Sequence, residues 1–294
     1  MIPNSSHIPV LLKETIEILK PESGEFFIDG TLGNGGHSKR IIERINPNGI
    51  FLGVDWDKRA IANCKARMAN RKNIILVNDN YADLPEILKN YHLPKADGLL
   101  LDLGFSSEQI EKSKRGFSFL RNEPLLMTYD QDEKPAHRWL NDLSEEKLGQ
   151  IIKEFGEEKF AFRIAKAIKC NLPITTTTKL VEVIGKTVPP NYEHGRVHPA
   201  TRTFMALRIF VNRELENLQN LLDRIPTIIK PQGRVAIISF HSLEDRIVKN
   251  AFRDLTKKNK AVSLAKKPIS PTREEIIENP HSRSAKLRAI SINL

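Results

Sequence analysis

The sequence predicts an open α/β sheet of the nucleotide-binding kind, interrupted by a mainly helical insertion. Three observations carry that prediction. A glycine-rich turn links a strand to a helix between Glu25 and Ile45. Three further strand–loop–helix units follow, and two of them carry an acid at the strand tip. The alternation then stops from Ser106 to about Ala200 and resumes afterwards. Strands alternating with helical patterns imply parallel βαβ units, and a break in the rhythm implies an inserted domain.

The lead-in, residues 1–24, reads as a loop, His7-Ile8-Pro9-Val10-Leu11-Leu12, and a helix from Leu11 to Leu19 that covers the sheet. Phe26–Ile28 is aromatic and β-branched and ends abruptly, as a buried strand does. Gly30, Gly33, Gly35 and Gly36 form the turn, and Ile41, Ile42 and Ile45 fall on one side of the following helix. Glycines let backbone approach a ligand, and a helix N-terminus offers free N–H groups. The spacing is not that of a dinucleotide fold, because GxGxxG needs a glycine at Ser38. Asp29, at the strand tip before the turn, suits a ligand with a positive group, such as the amino or sulfonium group of S-adenosylmethionine (SAM).

Gly49–Val54 is a second strand ending in Asp55, placed to accept the ribose hydroxyls of an adenosine. Asp57–Met68 reads as a helix, Asn73–Val77 as a third strand leading into Asn78-Asp79-Asn80-Tyr81, and about Ala82 to Asn90 as a helix. Ala96–Leu103 is a fourth strand carrying Asp102. Acids from several strands on one sheet edge with a glycine turn favour an adenosine cofactor over isolated helix caps.

Between Ser106 and Ala200 the text is polar and helical, with helices expected over Leu143–Phe155 and Glu157–Cys170 and prolines punctuating the rest. The boundaries expected are 1–105 with 201–294 for the parent domain and 106–200 for the insertion. From Phe204 to Ile225, apolar residues three and four apart predict one long helix. Pro231-Gln232-Gly233 turns the chain into a strand, Arg234–Phe240. A helix follows from Ser242 to Leu255, and a final strand runs from Ser284 to Ile292.

The charge bounds the partner. The chain of 294 residues has a formal charge of +10, which points to a polyanion, most economically a nucleic acid. Ten Lys/Arg stand against four Asp/Glu between Arg253 and Arg288, whereas the insertion is balanced at fifteen against fourteen. Cys64 and Cys170 lie far apart, which argues for a reducing compartment and against a cysteine zinc site. Neither a membrane-length apolar run nor a leader pattern appears, so the expectation is cytoplasmic.

Three stretches are candidates for substrate chemistry. At the fourth strand tip, Asp102 and Phe105 could accept hydrogen bonds from a target amine and stack on its base; a tight strand exit capped by Ser106 or Ser107 fits the stretch as well. At the fifth strand tip, His241 could take a proton or touch a base edge, and Ser242 with Asp245 could equally be a capping box. Between them, Arg115, Phe117 and Phe119 interleave charge with aromatic rings, as single-stranded RNA binding requires, although a loop burying both rings explains them too. His194 and His198 have no third ligand in view, so no metal is expected.

These motifs, taken in order, resemble the bacterial 16S rRNA (cytosine-N4) methyltransferases, the RsmH or MraW family. The likeness runs through His7–Leu12, Asp29–Ser38, Leu101–Gly104 with Ser106-Ser107, Arg115–Phe119, Phe155–Glu158, His198–Phe204 and Ile238–Arg246. It implies a class I SAM-dependent methyltransferase with a helical insertion, acting on a decoding-region cytosine of the small ribosomal subunit. By motif it implies cofactor contacts at Gly33, Gly35, Gly36, His37, Asp55, Tyr81, Asp102 and Gln109. The chain departs from the family pattern where Leu126 and Thr128 replace an acid and an arginine, at Met205 where glutamine is usual, and at Tyr81 and Phe105. Those changes bear on the expected positioning of substrate and leave the acids and glycines of the cofactor edge in place.

Other activities fit less well. A nicotinamide-dependent oxidoreductase shares Asp55 but not the glycine spacing or Asp102. A base deaminase needs paired cysteines, and a cytosine C5-methyltransferase needs one at a strand tip, whereas both cysteines here sit in helical text. A non-catalytic RNA-binding module leaves the acidic edge unexplained.

Overall fold

A computed structural model describes residues 8–68, 73–104, 114–130, 132–192 and 197–293. Residues 1–106 with 215–294 form one compact unit, and residues 107–214 form a second.

The first unit is built on a seven-stranded sheet in the order β3-β2-β1-β4-β5-β7-β6. Its strands are β1 (Phe26–Asp29), β2 (Ile50–Asp55), β3 (Ile74–Asn78), β4 (Ala96–Asp102), β5 (Ile229–Ser239), β6 (Ala261–Ser263) and β7 (Lys286–Ile292). The first five run parallel, and β7 enters antiparallel between β5 and β6. The three-residue β6 carries too little pattern to be read from sequence. The order reverses between β1 and β4, which opens a crevice at their carboxyl ends.

Alternation along the strands sorts the core into two layers. Phe26 and Ile28 face one side with Leu52, Val54, Leu99 and Leu101. That side is covered by α4 (Leu84–Asn90), α10 (Glu214–Ile228) and α11 (Ser242–Lys257). Phe27, Phe51 and Leu100 face the other side, under α1 (Leu12–Leu19), α2 (Gly36–Ile45) and α3 (Lys58–Met68). A short helix, α12 (Arg273–Glu278), precedes β7. Gly98 has no room for a side chain, since a Cβ there would lie 2.0 Å from the Phe27 ring.

The second unit is helical: α5 (Ala136–Asp142), α6 (Glu145–Gly156), α7 (Ala161–Cys170), α8 (Thr177–Thr187) and α9 (Thr201–Val211). Leu148, Ile152, Ile164, Ile168, Leu180 and Phe204 meet in its core. Ser144 and Thr176 cap α6 and α8 by accepting N–H bonds from Lys147 and Lys179.

Two expectations fail here. The single helix expected from Phe204 to Ile225 is two, α9 and α10, because Arg213 turns left-handed at φ 50. Asn212 stabilises the break: its amide donates to the Met127 and Arg208 carbonyls, and its Oδ1 accepts from Tyr129 N–H. Phe204, Leu207 and Val211 consequently pack in the helical core, and the parent unit resumes at Leu215 rather than Thr201. The turn expected at Pro231-Gln232-Gly233 lies inside β5 as a bulge: Ile229 and Arg234, five apart, oppose Ala96 and Gly98, two apart.

Candidate active site

The strand tips of β1, β2 and β4 and the glycine turn converge on one edge of the first unit. The turn is held by the acids it faces. Asp55 Oδ2 accepts from Gly33 N–H at 2.7 Å and its Oδ1 from Asp57 N–H at 2.8 Å. Burial pushes the Asp55 carboxyl up to about 7, against the pull of those two N–H groups. The Asn78 amide, at the tip of β3, donates to the carbonyls of Asp55 and Trp56 and fixes the backbone beneath the acid.

Gly33 and Gly35 take left-handed φ values of 49° and 72°, which L side chains adopt at a cost. At Gly33 the nearest heavy atom to an added Cβ is 3.8 Å away, so the backbone lies open. At Gly36 a Cβ would fall 2.3 Å from Pro9 Cγ, so the lead-in segment closes the turn from outside. Among the described residues no side chain caps α2, which starts at Gly36. An open loop followed by an uncapped helix start fits the carboxylate of an amino-acid ligand.

Asp29 is buried at the β1 tip, accepting from Ser38 Oγ at 2.5 Å and from Thr31 N–H at 3.1 Å. Burial raises its carboxyl above the ordinary range despite those bonds. Thr31 Oγ1 accepts from Asp102 N–H at 2.6 Å, tying β1 to the β4 tip. Asp102 Oδ1 accepts from Gly104 N–H at 3.2 Å, and Oδ2 lies 3.6 Å from His37 Nδ1. His37 Nε2 is 3.0 Å from the Val10 carbonyl, which can only accept, so the hydrogen is on Nε2. Burial lowers the His37 pKa and keeps the ring neutral, leaving Nδ1 bare towards Asp102. His37 Nδ1 and the Asp102 carboxylate thus stand side by side at the β4 tip. Tyr81 opens the short helix after β3, with its Cβ 3.2 Å from where a Gly30 side chain would begin.

Gly33, Gly35, Gly36, His37, Asp55, Tyr81 and Asp102 thus lie in the unit whose edge the sequence singles out. Gln109 and Phe105 lie outside the described residues, as do His7 and His194. Thr31, Ser38 and Asn78 carry roles that the sequence reading misses; their only signal is their place at strand tips beside the acids.

The remaining candidates are engaged by neighbouring residues, the alternative that the sequence left open. His241 is the N-cap of α11: its Nδ1 accepts from Glu244 N–H at 3.4 Å, and the Glu244 carboxylate accepts from Phe240 and His241 N–H. The capping box is His241 with Glu244, one residue before the Ser242–Asp245 pair expected. Asp245 is bound instead by Arg288 and Lys286; burial alone would raise its pKa, but these two cations hold it below the usual range. A ring that caps a helix is a poor proton shuttle.

In the second unit Arg115 is 7% exposed, and its Nη1 donates to the carbonyls of Thr128 and Tyr129. Phe117 stacks on Tyr129 at 5.1 Å, and Phe119 stacks on His198 at 4.7 Å and meets Phe204 edge-on. All three order the loop from within, rather than presenting a free guanidinium and bare rings. Thr128, where the family pattern has arginine, is buried.

The open α/β sheet with its acid-bearing strand tips and glycine turn is the frame of a SAM-dependent methyltransferase, the class to which the chain's family belongs. The family model of the MraW methylases matches residues 4–293, and the chain belongs to that family. A Thermotoga neapolitana protein named Ribosomal RNA small subunit methyltransferase H is 45% identical, over 97% of this chain and 96% of its own. Proteins of the same name from Thermosipho melanesiensis and Syntrophus aciditrophicus are 45% and 42% identical, again over 97% of this chain. Among the described residues no helix is long and apolar enough to cross a membrane.

Proposed function

We propose that the protein transfers a methyl group from SAM to N4 of a cytosine in 16S rRNA of the small ribosomal subunit. The observation that carries this reading is the edge itself: Asp29, Asp55 and Asp102 on adjoining strand tips around an open glycine turn. The full-length likeness to proteins named for small-subunit rRNA methylation supports the substrate.

Bound there, SAM supplies an electrophilic methyl group on a sulfonium. Asp55 would receive the ribose hydroxyls, the Gly33–Gly36 turn and the α2 start the carboxylate, and Asp102 with His37 Nδ1 the ammonium. Tyr81, one short turn past β3, would border the adenine. Asp102 also stands where a target amine approaches the β4 tip. A carboxylate accepting an N–H bond returns electron density to a nitrogen whose lone pair is delocalised into the ring, and so makes it a better nucleophile. With His241 committed to capping, no residue of this edge is needed as a strong base, because the amine nitrogen becomes acidic once alkylated. Phe105 keeps the proposed role of stacking on the base.

The test is transfer of radiolabelled methyl from SAM to undermethylated small subunits, followed by nucleoside mass spectrometry. N4-methylcytidine is the expected product. Label appearing on another nucleoside, or on none while SAM binds, refutes the reading.

A further inference from the structure

Away from the acidic edge, the first unit carries a basic groove of about 320 Å³ between α11, β7 and the segment after β6. It has a structural origin. Leu264 N–H bonds to the Ala289 carbonyl, and Ile269 pairs with Leu287 through bonds in both directions. Two steps along β7 therefore match five along the partner segment, and the surplus bulges outward within Ala265–Pro268. Ser263 Oγ donates to the Ala265 carbonyl at 2.7 Å and holds the start of the bulge. Its crest places Lys266 and Lys267 opposite Lys249, Arg253 and Lys257 of α11, with Phe252, Pro268 and Ile290 among the apolar lining.

The charge is concentrated and little neutralised. Among the described residues no acidic side chain lines the groove. Asp245 takes up Arg288, and Asp254 lies 3.6 Å from Arg253. Lys249, Lys257, Lys266 and Lys267 have no carboxylate within 4 Å among the described residues. A convex lysine face is solvated and unspecific, but cations ringed about an apolar hollow of nucleotide size suit a phosphodiester with its sugar and base.

We infer that this groove is a docking site for the single-stranded RNA backbone, seating one nucleotide between α11 and the bulge while the lysines take the flanking phosphates. The inference rests on the rRNA reading above, but it is tested by binding, so the two can fail separately.

The experiment measures binding of a fluorescent single-stranded RNA to the full chain across a salt series. The proteins are wild type, a groove variant (Lys249→Gln, Lys266→Gln, Lys267→Gln) and a variant of equal charge with exposed lysines changed elsewhere (Lys13→Gln, Lys65→Gln, Lys89→Gln). Every single-strand phosphate left without its lysine lowers the log–log salt slope by about 0.7, so the groove variant should drop about two units and at least tenfold in affinity at low salt. The second variant should keep the wild-type slope, and SAM affinity should be the same in all three. Equal weakening of both variants makes the effect one of net charge and overturns the site. So does a poly-glutamate chain that competes as well as RNA of equal length. A 4-thiouridine crosslink mapping to 249–257 or 264–268 supports it, and crosslinks confined to other peptides overturn it. Methylation of the wrong nucleoside by wild type, with these binding results intact, refutes the proposed function and leaves the groove standing.

Discussion

Asp55→Asn separates the thermodynamics of the acidic edge from its use. The Asp55 carboxyl is pushed from an ordinary value of 3.8 to about 7, chiefly by burial. Keeping it ionised in the fold therefore costs roughly 4 kcal/mol above that pH, at about 1.4 kcal/mol per pK unit. The sign follows from proton binding. Between pH 4 and 7 the folded state holds a proton that the unfolded state has released, so stability falls as pH rises through that window and is flat beyond it. Asparagine removes the titration. Like the protonated carboxyl that wild type holds at low pH, it offers one acceptor oxygen and one donor group to the N–H groups of Gly33 and Asp57. The variant should thus match wild type to within about 1 kcal/mol at pH 4 and be more stable at pH 8, by up to roughly 4 kcal/mol. Urea unfolding of both proteins at four pH values reads the difference, in which other titrating groups cancel. A pH-independent difference, or one of opposite slope, refutes the account of the site. SAM affinity should move the other way, at least tenfold weaker in the variant, since an amide in this position cannot accept from both ribose hydroxyls.

Three further outcomes are expected. Asp102→Asn should lower the single-turnover methylation rate more than it weakens SAM binding; equal losses would reduce Asp102 to a cofactor ligand. Gly36→Ala brings a Cβ to within 2.3 Å of Pro9 Cγ, so the lead-in segment must shift. About 1–3 kcal/mol of stability should be lost, read as a lower unfolding temperature. Phe119→Ala should cost roughly 2–3 kcal/mol, less than for a fully buried ring, because Phe119 stays partly exposed between His198 and Phe204. Unchanged thermal unfolding in that variant, with loss of methylation alone, would return the ring to substrate binding.

Much of the parent unit was legible because its signals are local. A buried parallel strand is a short apolar run, and its tip is marked by the residue that follows, so β1, β2, β4 and the acids Asp29, Asp55 and Asp102 could be placed from text alone. The glycine turn was legible for the same reason: its φ values restrict the residue types allowed.

What sequence could not decide was which partner each side chain would choose. The 204–225 periodicity is continuous, yet Asn212 and Arg213 break it, because the carbonyls that Asn212 caps include Met127, 85 residues away. Arg115, Phe117 and Phe119 have an RNA-binding composition, but Tyr129, His198 and Phe204 engage them once the chain is folded. His241 reads as a reactive residue until the helix start is seen to need it. The groove over β7 depends on surplus residues after a strand too short to recognise, and on an antiparallel strand contributed by the chain's end. Local pattern fixes where strands end and which acids stand there. Only tertiary contact determines whether a polar or aromatic side chain is held by the protein itself or remains available for a ligand.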